Sequence, residues 1–259
     1  MKLALTGALI VACLFLGMLI FSEAGRRIGV ARSAHDPDGL AKGAGAAEAA
    51  VFGLLGLLIA FTFSGAASRF EERRHLITAE ANAIGTAYLR IDLLPVAAQP
   101  EMRKLFRRYA EVRSVAYRDV EDEVATAAKL AAGDALQRDI WALALAASHR
   151  KDASGDAIKL LLPALNDMID ITTTRVMATR NHPPLVIYAL LCALCLVGAL
   201  LVGYGTSPNK VRSWFHVVTL AASLSLTVYV IADLEFPRIG LIRVTGADQV
   251  LVDLRNSMQ

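Results

Sequence analysis

The sequence predicts an all-α integral membrane protein with four transmembrane helices and a helical soluble domain. The chain has 259 residues, of which 55% are hydrophobic and 20% are charged, whereas soluble domains carry about 25% charged residues. Four stretches of 19 to 21 residues contain no Asp, Glu, Lys or Arg, and about 20 apolar residues suffice for a helix to cross a bilayer. No segment alternates apolar and polar residues as a strand would. These observations exclude an ordinary soluble enzyme, a disordered chain and a secreted domain held by disulfides.

The uncharged stretches divide the chain into membrane and soluble parts. They comprise residues 3–21, 49–68, 185–205 and 213–232. We therefore expect two spans in residues 1–68, a soluble domain in 69–184, two more spans in 185–232 and a C-terminal tail in 233–259. The stretch Ser22–Glu48 is predicted to be an irregular loop, and Thr206–Arg212 a short turn. The first span exceeds the hydrophobic core of a signal peptide, about 7–15 residues, so we expect it to stay uncleaved.

The soluble domain is predicted to contain helices only. The second span meets no break signal before Pro95, so it is expected to continue as one helix from about residue 49 to residue 93. An amphipathic helix follows, on apolar residues spaced by three and four from Met102 to Val124. Two further helices are predicted on residues 136–145 and 160–176, with Pro163 near the first turn of the second one.

Composition and motifs argue against several function classes. The formal net charge of +3 is too small to indicate a nucleic-acid partner. The sequence contains no H-E-x-x-H, P-loop, G-x-S-x-G or dinucleotide fingerprint, so we expect no enzyme, no cofactor and no metal site. Cys192 and Cys195 form a C-x-x-C inside a span, where two small apolar residues explain the pattern better than a redox pair.

Basic residues near the spans indicate an orientation. Eight Lys and Arg residues flank the spans on the side that holds both termini and the soluble domain, and six lie on the other side. Positive charge favours the cytoplasm. We therefore expect a multi-pass protein of the cell (inner) membrane, with its termini and middle domain in the cytoplasm.

The second span carries two large apolar residues among small ones. Leu57 and Phe61 are four residues apart and share a helix face with Gly53 and Gly65. A hydrophobic constriction of a pore would use this arrangement, and so would a tightly packed interface between membrane helices. The periodicity alone leaves both interpretations open.

Charged and polar residues follow the second span directly. The first of them are spaced by three and four residues, which fits a solvated face held by ion pairs. The later ones interrupt an Ala- and Ile-rich surface and are candidates for buried contacts between helices or subunits. The charged frame at the membrane exit comprises Arg69, Glu72 and Arg74, and the interface candidates are Glu80, Asn82, Thr86 and Arg90.

A second charged motif follows the last span. It contains Asp233, Glu235, Arg238 and Arg243. The two acids could pair with the basic cluster of residues 69–74, or they could help to bind a cation. We expect ion pairing, because two carboxylates do not supply the six to eight oxygens of a calcium site.

The membrane exit of the second span resembles that of the bestrophin anion channels. The order L-G-L-L-x-x-F at residues 55–61, followed by A-x-R-F-x-E-x-R at residues 67–74, is similar to the stretch in which the bestrophin pore helix leaves the membrane. In this resemblance Phe61 falls on the aromatic residue of the pore neck. Thr62, Ser64 and Glu71 depart from the channel pattern.

A closer resemblance extends over nearly the whole chain. Residues 80–95 carry E-A-N-A-I-G-T-A-Y-L-R-x-D-L-L-P and residues 233–243 carry D-L-E-x-P-R-x-G-L-I-R. Both patterns are similar to those of a bacterial bestrophin-like family that has no established activity. The chain is identified as a member of that family, distantly similar to the channels.

The resemblance implies a homo-oligomer that passes a small anion. Helix two of each subunit would line a central pore with Leu57 and Phe61 at its neck, and backbone N–H groups and helix ends would attract the anion. The alternative is a non-conducting membrane scaffold or sensor whose helical domain binds a partner or ligand. Apolar spans without ionisable residues fit both hypotheses.

Overall fold

The structure, a computed structural model, describes residues 2–33, 39–116, 122–207, 213–238 and 240–258. Within these ranges the regular elements are all helices, which confirms the predicted all-α fold. The elements are α1 (Lys2–Ser33), α2 (Gly39–Leu89), a 3-10 turn (Arg90–Leu93), α3 (Gln99–Val115), α4 (Glu123–Ser148), α5 (Gly155–Arg180), α6 (Leu185–Gly205), α7 (Trp214–Glu235) and α8 (Thr245–Ser257).

Four helices of the described residues are long and apolar enough to cross a membrane, namely α1, α2, α6 and α7. The prediction of four spanning helices is therefore confirmed. The chain divides into two compact units. The first comprises Met1–Ser68 and His182–Phe236, and the second comprises Arg69–Asn181 and Pro237–Gln259. Helix α2 contributes residues to both units.

In the first unit, α1 packs against α6 at glycines that let the two backbones approach closely. A Cβ added at Gly25 would lie 1.9 Å from the carbonyl oxygen of Leu200, and one added at Gly203 would lie 1.9 Å from that of Ser22. Gly25 and Gly29 form a G-x-x-x-G pair on α1, a spacing that permits membrane helices to cross closely. Helix α1 also packs against α7. The α1–α6 contact thus depends on positions that have no side chain.

The expected irregular loop Ser22–Glu48 is wrong. Helix α1 continues to Ser33 and α2 begins at Gly39; residues 34–38 lie outside the described part of the chain. The continuation of α1 is supported by an ion pair one helical turn apart, in which Arg27 Nε lies 2.8 Å from Glu23 Oε1. Gly25 and Gly29 of this stretch serve helix packing, although the glycine-rich composition predicted irregular backbone.

In the second unit, proline and capping residues set the helix boundaries. The prediction that the second span continues as one long helix is confirmed, since α2 extends to Leu89 and the 3-10 turn to Leu93. Leu94 is extended, with a ψ of 158°, because the ring of Pro95 disfavours a helical residue before it. Helix α3 begins with Pro100 in its first turn, and the Asp122 side chain caps α4 by accepting from the Ala125 N–H.

Two details of the predicted soluble helices are wrong. The amphipathic helix expected to reach Val124 ends at Val115, and Val124 belongs to α4; Val120 lies outside the described residues. Pro163 is the ninth residue of α5 and lies in the interior of that helix, so the prediction that it lies near the first turn is wrong. The helix continues through it although the proline removes one backbone hydrogen bond.

A single core holds the second unit together. Ile84 of α2, Phe106 and Tyr109 of α3, Ile140 of α4 and Leu165 of α5 are almost completely buried in it. Helix α8 covers this core with Leu251, which is also buried. The sequence analysis described residues 233–259 as a tail and placed no element after the last span, so α8 was missed.

We expect Gly25→Ala to destabilise the first unit. The new Cβ meets a backbone carbonyl, which cannot move without shifting α6, and overpacking of this kind costs about 1–3 kcal/mol. Thermal unfolding of the purified protein in detergent, followed by circular dichroism, measures the change.

Gly45→Ala of α2 is the matched control, because nothing lies within 4 Å of its added Cβ. A better helix former there should leave stability unchanged or raise it by up to about 1 kcal/mol. Equal unfolding temperatures for the Gly25→Ala variant and the wild type would contradict the close α1–α6 contact.

Candidate functional site

One face of α2 in the first unit is uncovered. Leu57 and Phe61, the predicted pore-neck residues, are 54% and 68% exposed. Gly53, Ser64 and Ser68 are exposed as well, and at 100° per residue all five lie within one arc of the helix. The opposite side carries Leu55 and Ala66, both buried.

The uncovered face of α2 differs in composition from the other exposed membrane-helix surfaces. Those of α1, α6 and α7 carry more large apolar side chains, such as Leu9, Ile20, Leu190, Phe215 and Leu226, which suit contact with lipid. The α2 face mixes two large apolar residues with glycine and serine. Small and hydroxyl-bearing residues are typical of helix surfaces that contact protein or line a cavity.

In the second unit the same helix again has a buried and an exposed side. Of the predicted interface residues, Glu80 is buried, whereas Asn82 and Thr86 are exposed in the single chain. Exposed Glu71 and His75 precede them at helical spacing. The structure therefore separates Glu80 from Asn82 and Thr86, which the sequence analysis had grouped.

Glu80 is the acidic side chain of α2 that the fold buries completely. One carboxylate oxygen accepts a hydrogen bond from Arg113 Nε of α3, and the other accepts one from Arg175 Nη1 of α5. Both arginine side chains are also almost fully buried, at 2% and 3% exposure. A buried carboxylate held by two guanidinium groups is stable in its ionised form, so this contact ties α2, α3 and α5 together.

The buried ion pairs extend to the C-terminal helix. Arg175 Nη2 lies 3.2 Å from Asp248 Oδ1 of α8. Arg238, a residue of the predicted C-terminal motif, contacts the same carboxylate through two bonds of 2.7 and 3.1 Å. These ion pairs form one series, here called the arginine network, which contains Arg113, Glu80, Arg175, Asp248 and Arg238. The network joins the motif at residues 80–95 to the motif at residues 233–243.

A second buried polar group lies on the same helices. The Tyr109 hydroxyl accepts from Gln137 Nε2 at 2.8 Å, and this amide lies 3.4 Å from the Thr172 hydroxyl. Burial raises the pKa of Tyr109 above its ordinary value of 10.0, so the phenol keeps its proton. These bonds link α3, α4 and α5 through neutral groups and satisfy polar atoms that water cannot reach.

The buried residue of the basic cluster at residues 69–74 is Arg73, which lies outside the predicted frame of Arg69, Glu72 and Arg74. Arg73 is buried and donates to the carbonyl oxygens of Ala178 and Asn181, at 3.1 and 3.0 Å. Arg74 is exposed and pairs with Glu71 at 2.9 Å. Arg69 is partly buried and Glu72 is exposed.

Arg90 and Arg243 donate to backbone carbonyls. Arg90 Nη1 donates to the carbonyl of Leu160, beside the point where Pro163 interrupts the α5 hydrogen bonds. Arg243 is exposed, and its Nε donates to the Gly240 carbonyl at 3.0 Å. Neither side chain belongs to the arginine network.

The acids at the end of α7 are buried in the first unit. Asp233 and Glu235 are 7% and 1% exposed. Glu235 Oε2 lies 3.4 Å from His182 Nδ1, and the His182 ring stacks on Phe236 with centroids 4.8 Å apart. The sequence analysis missed His182, which carries no motif. Pairing of these acids with the cluster at residues 69–74 stays a prediction.

The fold defines the class of protein as a polytopic α-helical membrane protein, with helices suited to contact a lipid bilayer. A family model described as "Bestrophin-like domain" matches residues 28–248. The chain therefore belongs to the bestrophin-like family, and the identification drawn from residues 80–95 and 233–243 is confirmed. No curated protein and no solved structure matches the chain.

We expect Glu80→Gln to destabilise the second unit by about 3–5 kcal/mol, because it removes the buried carboxylate that Arg113 and Arg175 share. The Asp248 carboxylate that stays on Arg175 is also shared with Arg238. Denaturant unfolding of the full chain in detergent can be followed by fluorescence. The chain has two tryptophans, and a Trp214→Phe background leaves Trp141, which packs on the second unit's core, as the reporter.

Glu71→Gln is the matched control on the same helix. The exposed pair of Glu71 with Arg74 contributes about 0–1 kcal/mol, so this variant should unfold close to the wild type. If both variants unfold alike, the buried carboxylate does not hold the second unit.

Proposed function

We propose that the protein is an oligomeric anion channel in which α2 of each copy lines a central pathway. Leu57 and Phe61 form the hydrophobic neck of that pathway. The anion is implied by the resemblance to bestrophin channels, and the proposal assigns no catalytic residue and no cofactor. Several copies must close around one axis, which requires ring symmetry.

The supporting observation is a regular series of exposed residues along α2. These residues, here called the α2 stripe, are Gly53, Leu57, Phe61, Ser64, Ser68, Glu71, His75, Thr78, Asn82, Thr86 and Leu89, and all are exposed. They belong to one continuous helix, and their average spacing of 3.6 residues equals the period of the α-helix.

The composition of the α2 stripe favours an aqueous pathway over a lipid contact. Its membrane part carries glycine and two serines beside Leu57 and Phe61, and its remaining part carries mainly polar side chains. Lipid would select large apolar residues along the membrane part. Polar residues beyond the neck, such as Ser64 and Ser68, are expected where water and ions approach a constriction that gates by dewetting.

The test is halide efflux from liposomes that contain the purified protein. We expect Phe61→Ala to raise the flux several-fold, because a smaller and less apolar neck is hydrated more easily. Phe63→Ala is the matched control, since Phe63 is also exposed but lies about 160° around the helix from Phe61. It should leave the flux at the wild-type level.

Each alternative outcome is informative. Equal flux through the two variants and the wild type would place the neck elsewhere. Tight liposomes with all three proteins, each folded and oligomeric, would contradict the channel and favour the non-conducting scaffold or sensor.

We infer that the termini and the second unit are cytoplasmic, because eight basic residues flank the spans on that side against six on the other. A cysteine placed at Ser154, in the second unit before α5, tests this orientation. A membrane-impermeant thiol reagent added to intact cells should not label it.

A further inference from the structure

A basic cavity lies between α3 and the end of α8 in the second unit. It has a volume of about 420 Å³ and is lined by Lys104, Arg107, Arg108, Glu111, Arg255, Asn256 and Met258. We call it the α3–α8 cavity. Its lining holds four cationic side chains and one carboxylate, and its size lies within the range of about 300–1,000 Å³ that is usual for small-ligand sites.

The α3 wall of this cavity concentrates positive charge on one helix face. Three charged residues follow Lys104 at distances of three, four and seven positions, namely Arg107, Arg108 and Glu111. At these spacings the four side chains share one helix face. The opposite face of α3 is buried in the core through Phe106. Lys104 and Arg108 form a like-charge pair one turn apart, which destabilises a helix unless an anion compensates it.

The cations of the cavity differ from the other arginines of α3 in how they are paired. Arg103 pairs with Asp92, and Arg113 pairs with Glu80. By contrast, the described part of the chain shows no acidic partner for Arg107 or Arg108.

In the described part of the chain the two remaining cations make long ion pairs, and Arg255 Nη1 also donates to Asn256 Oδ1 at 3.3 Å. Lys104 Nζ lies 3.7 Å from Glu101 Oε2, and Arg255 Nη2 lies 3.6 Å from Glu111 Oε1. All four of these side chains are substantially exposed, and such pairs contribute little. The positive charge of the cavity is therefore mostly uncompensated.

We propose that the α3–α8 cavity binds a ligand that carries several phosphate charges. Guanidinium groups match phosphate oxygens through paired hydrogen bonds, and Arg107 and Arg108 present two of them. Arg255 and Asn256, from the last turn of α8, supply donors from a second element. Four cations against one carboxylate leave an excess of three charges, which suits a di- or triphosphate better than a monovalent anion.

The ligand bridges two elements that are distant in sequence, so its binding also fastens α8 to α3. This proposal is independent of the proposed channel, because it concerns binding to the second unit and requires no flux. Two sources carry the same chemistry, namely a soluble polyphosphate compound and a lipid headgroup with two or more phosphates.

Titration calorimetry with sodium triphosphate on the full chain in detergent tests the site. We expect saturable binding to the wild type. The double variant Arg107→Gln/Arg108→Gln should weaken it by about tenfold or more, since it removes two guanidinium groups that make charge-assisted hydrogen bonds to phosphate. Arg255→Gln removes a donor from the other wall and should weaken it independently.

Arg138→Gln is the matched control, because Arg138 is an exposed arginine of α4 and does not line the cavity. It should bind triphosphate like the wild type. Circular dichroism verifies that each variant is folded, and the two cavity variants change different helices, so misfolding of one leaves the other to decide.

Native mass spectrometry distinguishes the two sources. Stronger retention of cardiolipin, a lipid with two phosphates, by the wild type than by Arg107→Gln/Arg108→Gln would identify a lipid headgroup, and equal retention together with triphosphate binding would identify a soluble ligand. Triphosphate binding that is absent, or equal in all four proteins, with equal lipid retention would overturn the proposal. Loss of the oligomer in the cavity variants, without any triphosphate binding to the wild type, would instead assign this face to contacts between copies.

Discussion

The architecture of the second unit depends on one buried carboxylate. Glu80 of α2 is held by Arg113 of α3 and Arg175 of α5, and the Asp248 carboxylate of α8 extends this contact. A buried charge is tolerated only when it is paired and hydrogen-bonded, so these helices must meet at one register. The interaction also determines which side of α2 faces the core and therefore which side remains open.

The open side of α2 is where the proposed function lies. Because Glu80 faces inward, Asn82 and Thr86 face outward. They continue the series of exposed residues, spaced by three or four, that includes Leu57 and Phe61 in the membrane part of the helix. Glycine and hydroxyl-bearing residues on a membrane helix are typical of a surface that contacts protein or lines a cavity, which is what the proposed channel requires. The bestrophin-like family match and the α2 stripe together support assembly of several copies around that side.

The membrane spans and the continuity of α2 could be predicted from local features of the sequence. The contacts between residues distant in sequence could not. The spans follow from the absence of charge over about 20 residues, and the continuity of α2 follows from the lack of a break before Pro95. The partners of Glu80 lie 33 and 95 residues away, where no local pattern reports them. The charge-free stretch ends at Phe21 and the glycine-rich residues after it predict a loop, although the G-x-x-x-G spacing of Gly25 and Gly29 signals helix packing.

The most direct test of the account is a cysteine scan of α2 in a variant without the three native cysteines, reconstituted in liposomes. Single cysteines at Phe61, Ser64 and Ser68 should react with a water-soluble thiol reagent, and the reaction should change halide flux. Cysteines at Leu55 and Ala66, on the packed side, should stay unreactive. Protection of all positions, as expected for a helix surrounded by lipid, would contradict an aqueous pathway along the α2 stripe.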